Sequence, residues 1–358
     1  MRIVGSDRYR IIRYVKGQTD MKIPHAHWMR SVVWDTVTNR PVCVAPPKAY
    51  KREIPTGEGQ NLSIQDFLDG TMVNTFSTVD EPEALHIATR TQIGASGTFY
   101  SKKTFGELFD EALKEMGYSS RADLRSTLPS PTDTTPATFV SFLLQHPEHR
   151  VVSRPRAPRL LMVHLGEVLA DGTVKITEDI PSTYTNFQIQ TYPMTGFKTQ
   201  ADLESFFKGL VESKGWFFQG LTFKDGQGHR WRMRNTNYLY LRGLRGSEAT
   251  ESERFLRLRS EGKVVEYLKH YAEERQPFWE LEQKLRSVTK TVFDAYCEVH
   301  KAHEKKLSDL PKSIQPCVFR LHSLYLSDLK PQNESVKMKD AVAVVNKMPI
   351  FEQRRLLV

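Results

Sequence analysis

Arg230, Arg232 and Arg234 recur at every second residue. In a β-strand that spacing puts all three on one face, with Trp231 and Met233 on the other. Guanidiniums held side by side repel one another unless an anion lies opposite, and phosphate suits their forked donors. The competing reading is a solvated edge strand whose charges discourage edge-to-edge pairing. The arginines sit in a stretch, Phe217 to Leu241, with two apolar-rich segments, 217–224 and 229–241, joined by Asp225-Gly226-Gln227-Gly228. That pattern predicts a β-hairpin with a loop longer than two residues.

The elements that must hold this hairpin can be read along the chain. Residues 8–15 and 30–45 read as strands, the second with a turn at Thr38-Asn39-Arg40. Asp69-Gly70 followed by alternating apolar residues predicts a turn into a strand, and Leu85 to Arg90 alternates likewise. Thr104 with Glu107 makes a capping box for a helix whose apolar face is Phe105, Leu108, Phe109, Ala112 and Leu113, with Gly117 as its stop. Residues 119–137, rich in Ser, Thr and Pro, read as a flexible loop. A second helix, 201–212, is capped by Thr199 or Gln200 and carries a stripe of Leu203, Phe206, Phe207, Leu210 and Val211. The composition shifts to Gly, Ser and acidic residues at 243–252, which marks a domain boundary. Beyond it the chain reads as helical. Thr250 and Glu253 cap one helix, and Pro277 is placed at the first position of a long one buried along Phe278, Leu281, Leu285, Val288, Val292, Tyr296 and Val299. Cys297, His300 and His303 step by three there, but lack a fourth metal ligand.

The order of these short motifs resembles the phage-type ATP-dependent RNA ligases, members of the covalent nucleotidyltransferase superfamily. Phe218 to Lys224 (FQGLTFK) looks like their EGxxxK element, and Arg232-Met233-Arg234-Asn235 with Tyr238 like the KxK element that follows. Phe67-Leu68-Asp69-Gly70 falls where those enzymes have K-x-D-G. Thr89-Arg90, a Gly/Ser turn, an aromatic residue and an amphipathic helix follow in the ligase order, and Pro147 to Val152 is similar to their P-x-N-R-I-V. The resemblance spans roughly residues 28 to 245. It implies an α+β fold: a ligase-type nucleotidyltransferase domain with antiparallel sheets at 1–245, then an α-helical C-terminal domain at 253–358.

The departures from the family pattern all run one way. Adenylyl transfer in that family needs a lysine nucleophile, carboxylates for a divalent cation, and lysines that balance phosphate charge. Here Phe67 stands for the nucleophile, Gln219 for a glutamate, Leu143 for another acid, and Arg232 and Arg234 for the lysine pair. A benzyl side chain cannot attack phosphorus. Gln145 and His146 remain as polar candidates near the lost acid. The resemblance therefore implies a pseudo-ligase, with neither catalytic nor metal-binding residues, that holds nucleotide phosphate through Asp69, Gly70, Arg90, Gln219, Lys224, Arg232 and Arg234. Two other classes stay open. One is an active ligase using ATP and Mg2+ through a relocated lysine such as Lys48 or Lys51. The other is a scaffold component of a viral or organellar assembly, with a protein partner.

Composition bounds these readings. A net charge of +9 over 358 residues favours a polyanionic partner, RNA or nucleotide. Three cysteines without a CxxC pattern suit a reducing, intracellular compartment and argue against a disulfide framework or zinc module. Cytoplasm, nucleus, mitochondrion and viral particle all fit. No apolar run is long enough for a membrane span.

Overall fold

The computed structural model describes residues 1–5, 8–23, 25–50, 53–56, 62–193 and 197–357. In chain order it contains β1 (Arg2–Gly5), β2 (Tyr9–Arg13), β3 (Val32–Asp35), β4 (Arg40–Val44), β5 (Ser63–Asp66), β6 (Thr71–Thr78) and β7 (Glu81–Thr89). Helices α1 (Phe105–Glu115) and α2 (Arg121–Thr127) come next, then β8 (Ala137–Gln145), β9 (Arg159–Val168), β10 (Val174–Thr177) and β11 (Thr191–Tyr192). Helix α3 (Gln200–Lys214), the hairpin β12 (Gly220–Lys224) and β13 (Arg230–Arg234), and α4 (Thr236–Arg245) follow. The α-helices that follow among the described residues are α5 (Glu251–Ser260), α6 (Val264–His270), α7 (Arg275–His300), α8 (Gln315–Leu324), α9 (Met338–Lys347) and α10 (Ile350–Leu356). Two compact units result, Met1–Gly243 and Leu244–Val358, so the fold is α+β with a helical C-terminal unit.

The first unit holds three sheets, ordered β1-β2-β3-β4, β10-β9-β8-β6-β7 and β11-β5-β12-β13. Every strand pair among the described residues is antiparallel. The central strand β8 is buried at every position, which is why it reads as an almost unbroken apolar run. Val140, Phe142 and Leu144 meet α1 and α2 through Leu108, Phe109 and Leu124. Ala137 and Phe139, on the opposite face, meet β2, β3 and β4 through Ile11, Val33 and Cys43. The third sheet packs Ile64, Leu221, Phe223 and Trp231 under Leu203, Phe206 and Phe207 of α3. The capping boxes at Thr104/Glu107 and Thr199/Asp202 both form.

Three local expectations need correction. The stretch at 119–137 contains α2: Ser120 caps it by accepting from Asp123 N, and Leu124 anchors it in the core. Leu124 and Leu128 join the core, and the buried Arg125 donates to Pro82 O (2.7 Å), so a segment that composition labels a loop is helical. The second hairpin strand ends at Arg234 rather than Leu241, because 236–245 is helical. Asn235 makes the switch, its Oδ1 accepting from Asn237 N (3.0 Å) and its backbone carbonyl from Leu239 N (3.0 Å). Pro277 lies inside the first turn of α7, which begins two residues earlier at Arg275.

In the second unit, α7 buries Phe278, Leu285, Val292, Tyr296 and Val299 against α5, α8 and α9. No helix among the described residues is long and apolar enough to cross a membrane.

Candidate functional site

Strand β13 does what its alternation requires. Trp231 is buried and Met233 packs beside it on the α3 side, while the three arginines turn to the other face. There they line a cavity of about 320 Å³ between the second and third sheets. Leu143 and Val163 come from the second sheet, Gln219 from the residue before β12, and Thr222, Arg230, Arg232 and Arg234 from the hairpin. Phe67, Asp69 and Gly70 line it from the turn before β6, and Tyr238 and Arg242 from α4. Of the seven residues expected to touch phosphate, five are thus brought together: Asp69, Gly70, Gln219, Arg232 and Arg234.

Two glycines allow the walls to approach this closely. Gly220 has φ +143°, and a Cβ there would lie 2.0 Å from Met233 O on the neighbouring strand. Gly70 has φ +153°, and its Cβ would lie 2.5 Å from Leu144 O. Gly70 therefore serves the contact between the turn and β8.

The five residues do not do equal work. The Asp69 carboxylate accepts from Val152 N (2.9 Å), Ser153 N (2.9 Å), Tyr238 OH (3.2 Å) and Ser153 Oγ. With four internal donors on it, it ties the Val152–Ser153 turn and α4 to the turn before β6. Gln219 is buried and its Oε1 has no hydrogen-bond partner among the described residues. A buried orphan acceptor is uncommon and points to a missing donor. The guanidiniums of Arg232 and Arg234 lie 4.4 and 5.8 Å from the centre of the Phe67 ring. Cations over an aromatic face are partly stabilised, but the ring does not neutralise them.

The other two fall outside the cavity lining. Arg90 lays its guanidinium over Tyr14 (4.7 Å) and donates from Nε to Arg30 O (3.3 Å), behind the wall. Lys224 shares the Thr222 face of β12, yet it is buried, with Nζ 3.3 Å from Val163 O and 3.4 Å from Glu178 O. Burial, reinforced by Arg230, pulls its pKa down to about 7.

Three more arginines line the cavity: Arg30, Arg230 and Arg242. Arg230 is neutralised by the buried carboxylate of Glu178, at 2.5 Å from Nη2 and 2.9 Å from Nε. Arg242 donates to Tyr100 OH (3.1 Å). Arg30, Arg232 and Arg234 form no ion pair with any described residue. Burial, then the charges of Arg30, Arg234 and Arg230, pulls the Arg232 pKa down to about 9. Burial, with Arg90 and Arg230, holds Arg30 below its ordinary range. Arg30 carried no pattern in the sequence to mark it, and Arg242 was hidden because its helix reads as strand.

The opposite wall is apolar. Leu143 packs with Leu68, Met72, Leu161, Val163 and Ile189. None of the lining residues is a lysine. Lys48 instead sets Nζ 5.0 Å over the Tyr14 ring, and Lys51 lies outside the described residues. The lining carboxylates are both committed, Asp69 as above and Asp66 to Lys214 Nζ (2.8 Å) and Tyr192 OH (2.8 Å). No group of three or more His, Cys, Asp or Glu that could hold a metal ion occurs among the described residues. This donor set does not fit a magnesium ion, which takes carboxylate and water oxygens. What the cavity offers is positive charge without a carboxylate partner among the described residues on one side, an apolar wall on the other and the buried Gln219 amide between them.

No family model and no curated protein sequence matches the chain. Among solved structures it is similar to an archaeal ATP-dependent RNA ligase (form 1), with a TM-score of 0.37 and 11% sequence identity over 78% of this chain and 70% of that one.

Proposed function

We propose that the first unit is an RNA ligase-like nucleotidyltransferase domain that has lost covalent adenylylation and binds the phosphates of a nucleotide or RNA in its cavity. The observation that carries this reading is the trio Arg30, Arg232 and Arg234: Arg30 and Arg232 are half-buried and Arg234 is exposed, all three line one cavity, and none has a carboxylate partner among the described residues. An uncompensated cluster of this kind costs stability until an anion enters, and phosphate accepts from several guanidiniums at once. The apolar wall around Leu143 suits a base or sugar, and Gln219 Oε1 suits a ligand hydroxyl or amino donor.

The same site lacks the means for the ligase reaction. Phe67 occupies the turn where the nucleophile would stand, Leu143 and Gln219 replace acids, and the carboxylates present are bound to internal donors. Incubation of the full chain with α-labelled ATP and magnesium should leave no acid-stable label, while ATP should bind reversibly. Label mapped by mass spectrometry to Lys48, Lys51 or any other lysine would replace this reading with that of an active ligase. Failure to bind ATP or RNA at all would favour a scaffold role.

A further inference from the structure

The positive charge of the cavity continues past its wall. Tyr14 N donates to Met29 O (2.6 Å), which sets the end of β2 beside Arg30. The buried Tyr14 ring has two cations against it, Lys48 Nζ at 5.0 Å and the Arg90 guanidinium at 4.7 Å from its centroid. Arg90 also reaches Arg30, donating from Nε to its carbonyl (3.3 Å). One residue before Tyr14, Arg13 stands directly opposite Arg2 across the β1–β2 ladder, and like charges so placed in a sheet are destabilising. Arg13 is half-buried and Arg2 exposed. Burial, then the charges of Arg90 and Arg2, lowers the Arg13 pKa. Arg13 Nε is buried and has no hydrogen-bond partner among the described residues. Arg2, Arg13, Lys48 and Arg90 form no ion pair with any described carboxylate. A cation partly withdrawn from water, facing another and bonded to nothing inside, costs stability until an anion lies over it. A row of such cations thus leads from Arg232 and Arg234 through Arg30 and the Tyr14 corner to Arg13 and Arg2.

Resting on the phosphate-binding reading of the cavity, we infer that its ligand is a polynucleotide, whose backbone leaves the cavity over the Tyr14 corner and continues to Arg13 and Arg2. A free nucleotide would fill the cavity and leave the outer half of the row without an anion. Only a ligand that repeats its phosphates reaches both ends. The contacts outside the cavity are to phosphate: the Tyr14 ring is buried beneath Lys48 and Arg90 and offers no face to a base. Such contacts position a strand without reading its sequence. An acidic polypeptide would also meet the charge, but the row opens into a cavity whose apolar wall around Leu143 suits a base or sugar.

The test compares two ligands on the full chain over a series of salt concentrations: ATP, which reaches only the cavity, and a 3′-fluorescent single-stranded RNA of about 12 nucleotides, which reaches the whole row. Arg2→Gln with Arg13→Gln should weaken RNA binding about tenfold or more. It should also make the slope of log affinity against log salt shallower by about 1.4, since two phosphate contacts at about 0.7 each are lost. ATP affinity should stay the same, which shows that the fold is intact. Arg2→Lys with Arg13→Lys should keep the wild-type slope, because the charges that displace counterions remain. Unchanged RNA affinity and slope in the glutamine pair overturn the row. Polyglutamate of equal charge that competes as well as RNA, and loses its affinity in the glutamine pair, overturns the polynucleotide and assigns the row to an acidic protein. If Arg232→Ala with Arg234→Ala leaves ATP binding intact while the glutamine pair still weakens RNA, the cavity reading falls and the row stands as an RNA surface of its own.

Discussion

In the helical unit, Arg245 and Arg254 are nearly as inaccessible as the leucines around them, yet both face the same carboxylate. Glu274 accepts from Arg254 through a two-pronged pair (Nε to Oε2 3.0 Å, Nη2 to Oε1 2.9 Å), from Tyr267 OH (2.9 Å) and from Arg245. Burial alone would raise the pKa of that carboxyl, but the two guanidiniums outweigh burial and hold it below the usual carboxylate range. In the first unit, Arg30, Arg232 and Arg234 are crowded together with only the ring of Phe67 beneath two of them. The residue type is the same, but Arg245 and Arg254 are fully buried, whereas Arg30 and Arg232 are half-buried and Arg234 is exposed. The other difference is the presence of an internal anion. An arginine cluster closed by a glutamate is a structural joint, and one left open is a place for something that arrives with negative charge.

The sharpest way to break this contrast is to alter each cluster and compare the signs. Glu274→Ala leaves two buried guanidiniums and a tyrosine hydroxyl without their acceptor. It should destabilise the helical unit by about 3–5 kcal/mol, read as a lower midpoint in urea unfolding. An unchanged midpoint would mean the pair is solvated and the contrast false. Arg232→Ala with Arg234→Ala should do the reverse to folding, leaving the unfolding midpoint the same or higher because repulsion is relieved. ATP affinity should fall roughly a hundredfold, since each charged hydrogen bond is worth about 1.5–3 kcal/mol. A large loss of stability in this double variant would show that the arginines hold the fold rather than a ligand.

How much of this could be read beforehand depends on how local each signal is. The facing of Arg232 and Arg234 followed from a period of two, which a strand imposes whatever packs around it. The Asp69-Gly70 turn into β6 was equally local. The boundary between β13 and α4 was not, because nothing in NTNYLYL, three polar residues and then four apolar or aromatic ones, breaks the apolar-rich segment that begins at His229. Only the packing of Tyr238 and Leu241 in one cluster fixes a helical repeat, and with it Arg242. Lys224 falls on the strand expected for it, but nothing in the sequence shows that Val163 and Glu178 cover that end. Arg90 likewise ends its strand as expected, and the side chain then goes to Tyr14. The Asp66–Lys214 pair joins residues far apart in sequence, which no spacing rule can reach.

Lys224 offers a pH readout of the same principle, because its amine also lies buried without a carboxylate within ion-pair distance. Its folded pKa of about 7 is below the ordinary 10.5. Below about pH 7 the amine is charged in both states and the full cost of burying it is present. As pH rises toward 10.5, the unfolded chain holds a proton that the folded chain has released, so stability increases. Unfolding temperature should therefore climb from pH 7 to about 10, and Lys224→Met should flatten the lower part of the climb. A climb unchanged by that substitution would assign it to other groups.

The smallest effect is the most specific. If the Phe67 ring makes the open cluster tolerable, Phe67→Leu keeps the apolar bulk and removes the aromatic face beneath Arg232 and Arg234. The unliganded protein should lose about 1 kcal/mol, within the range of a partly desolvated cation–π contact. Saturating ATP supplies the anion that the ring stood in for, so the deficit should shrink once the ligand is bound. Paired urea titrations with and without ATP measure that difference. A deficit of equal size in both would reduce Phe67 to packing. A deficit that closes with ligand would mean that the Phe67 ring keeps Arg232 and Arg234 together until an anion takes its place.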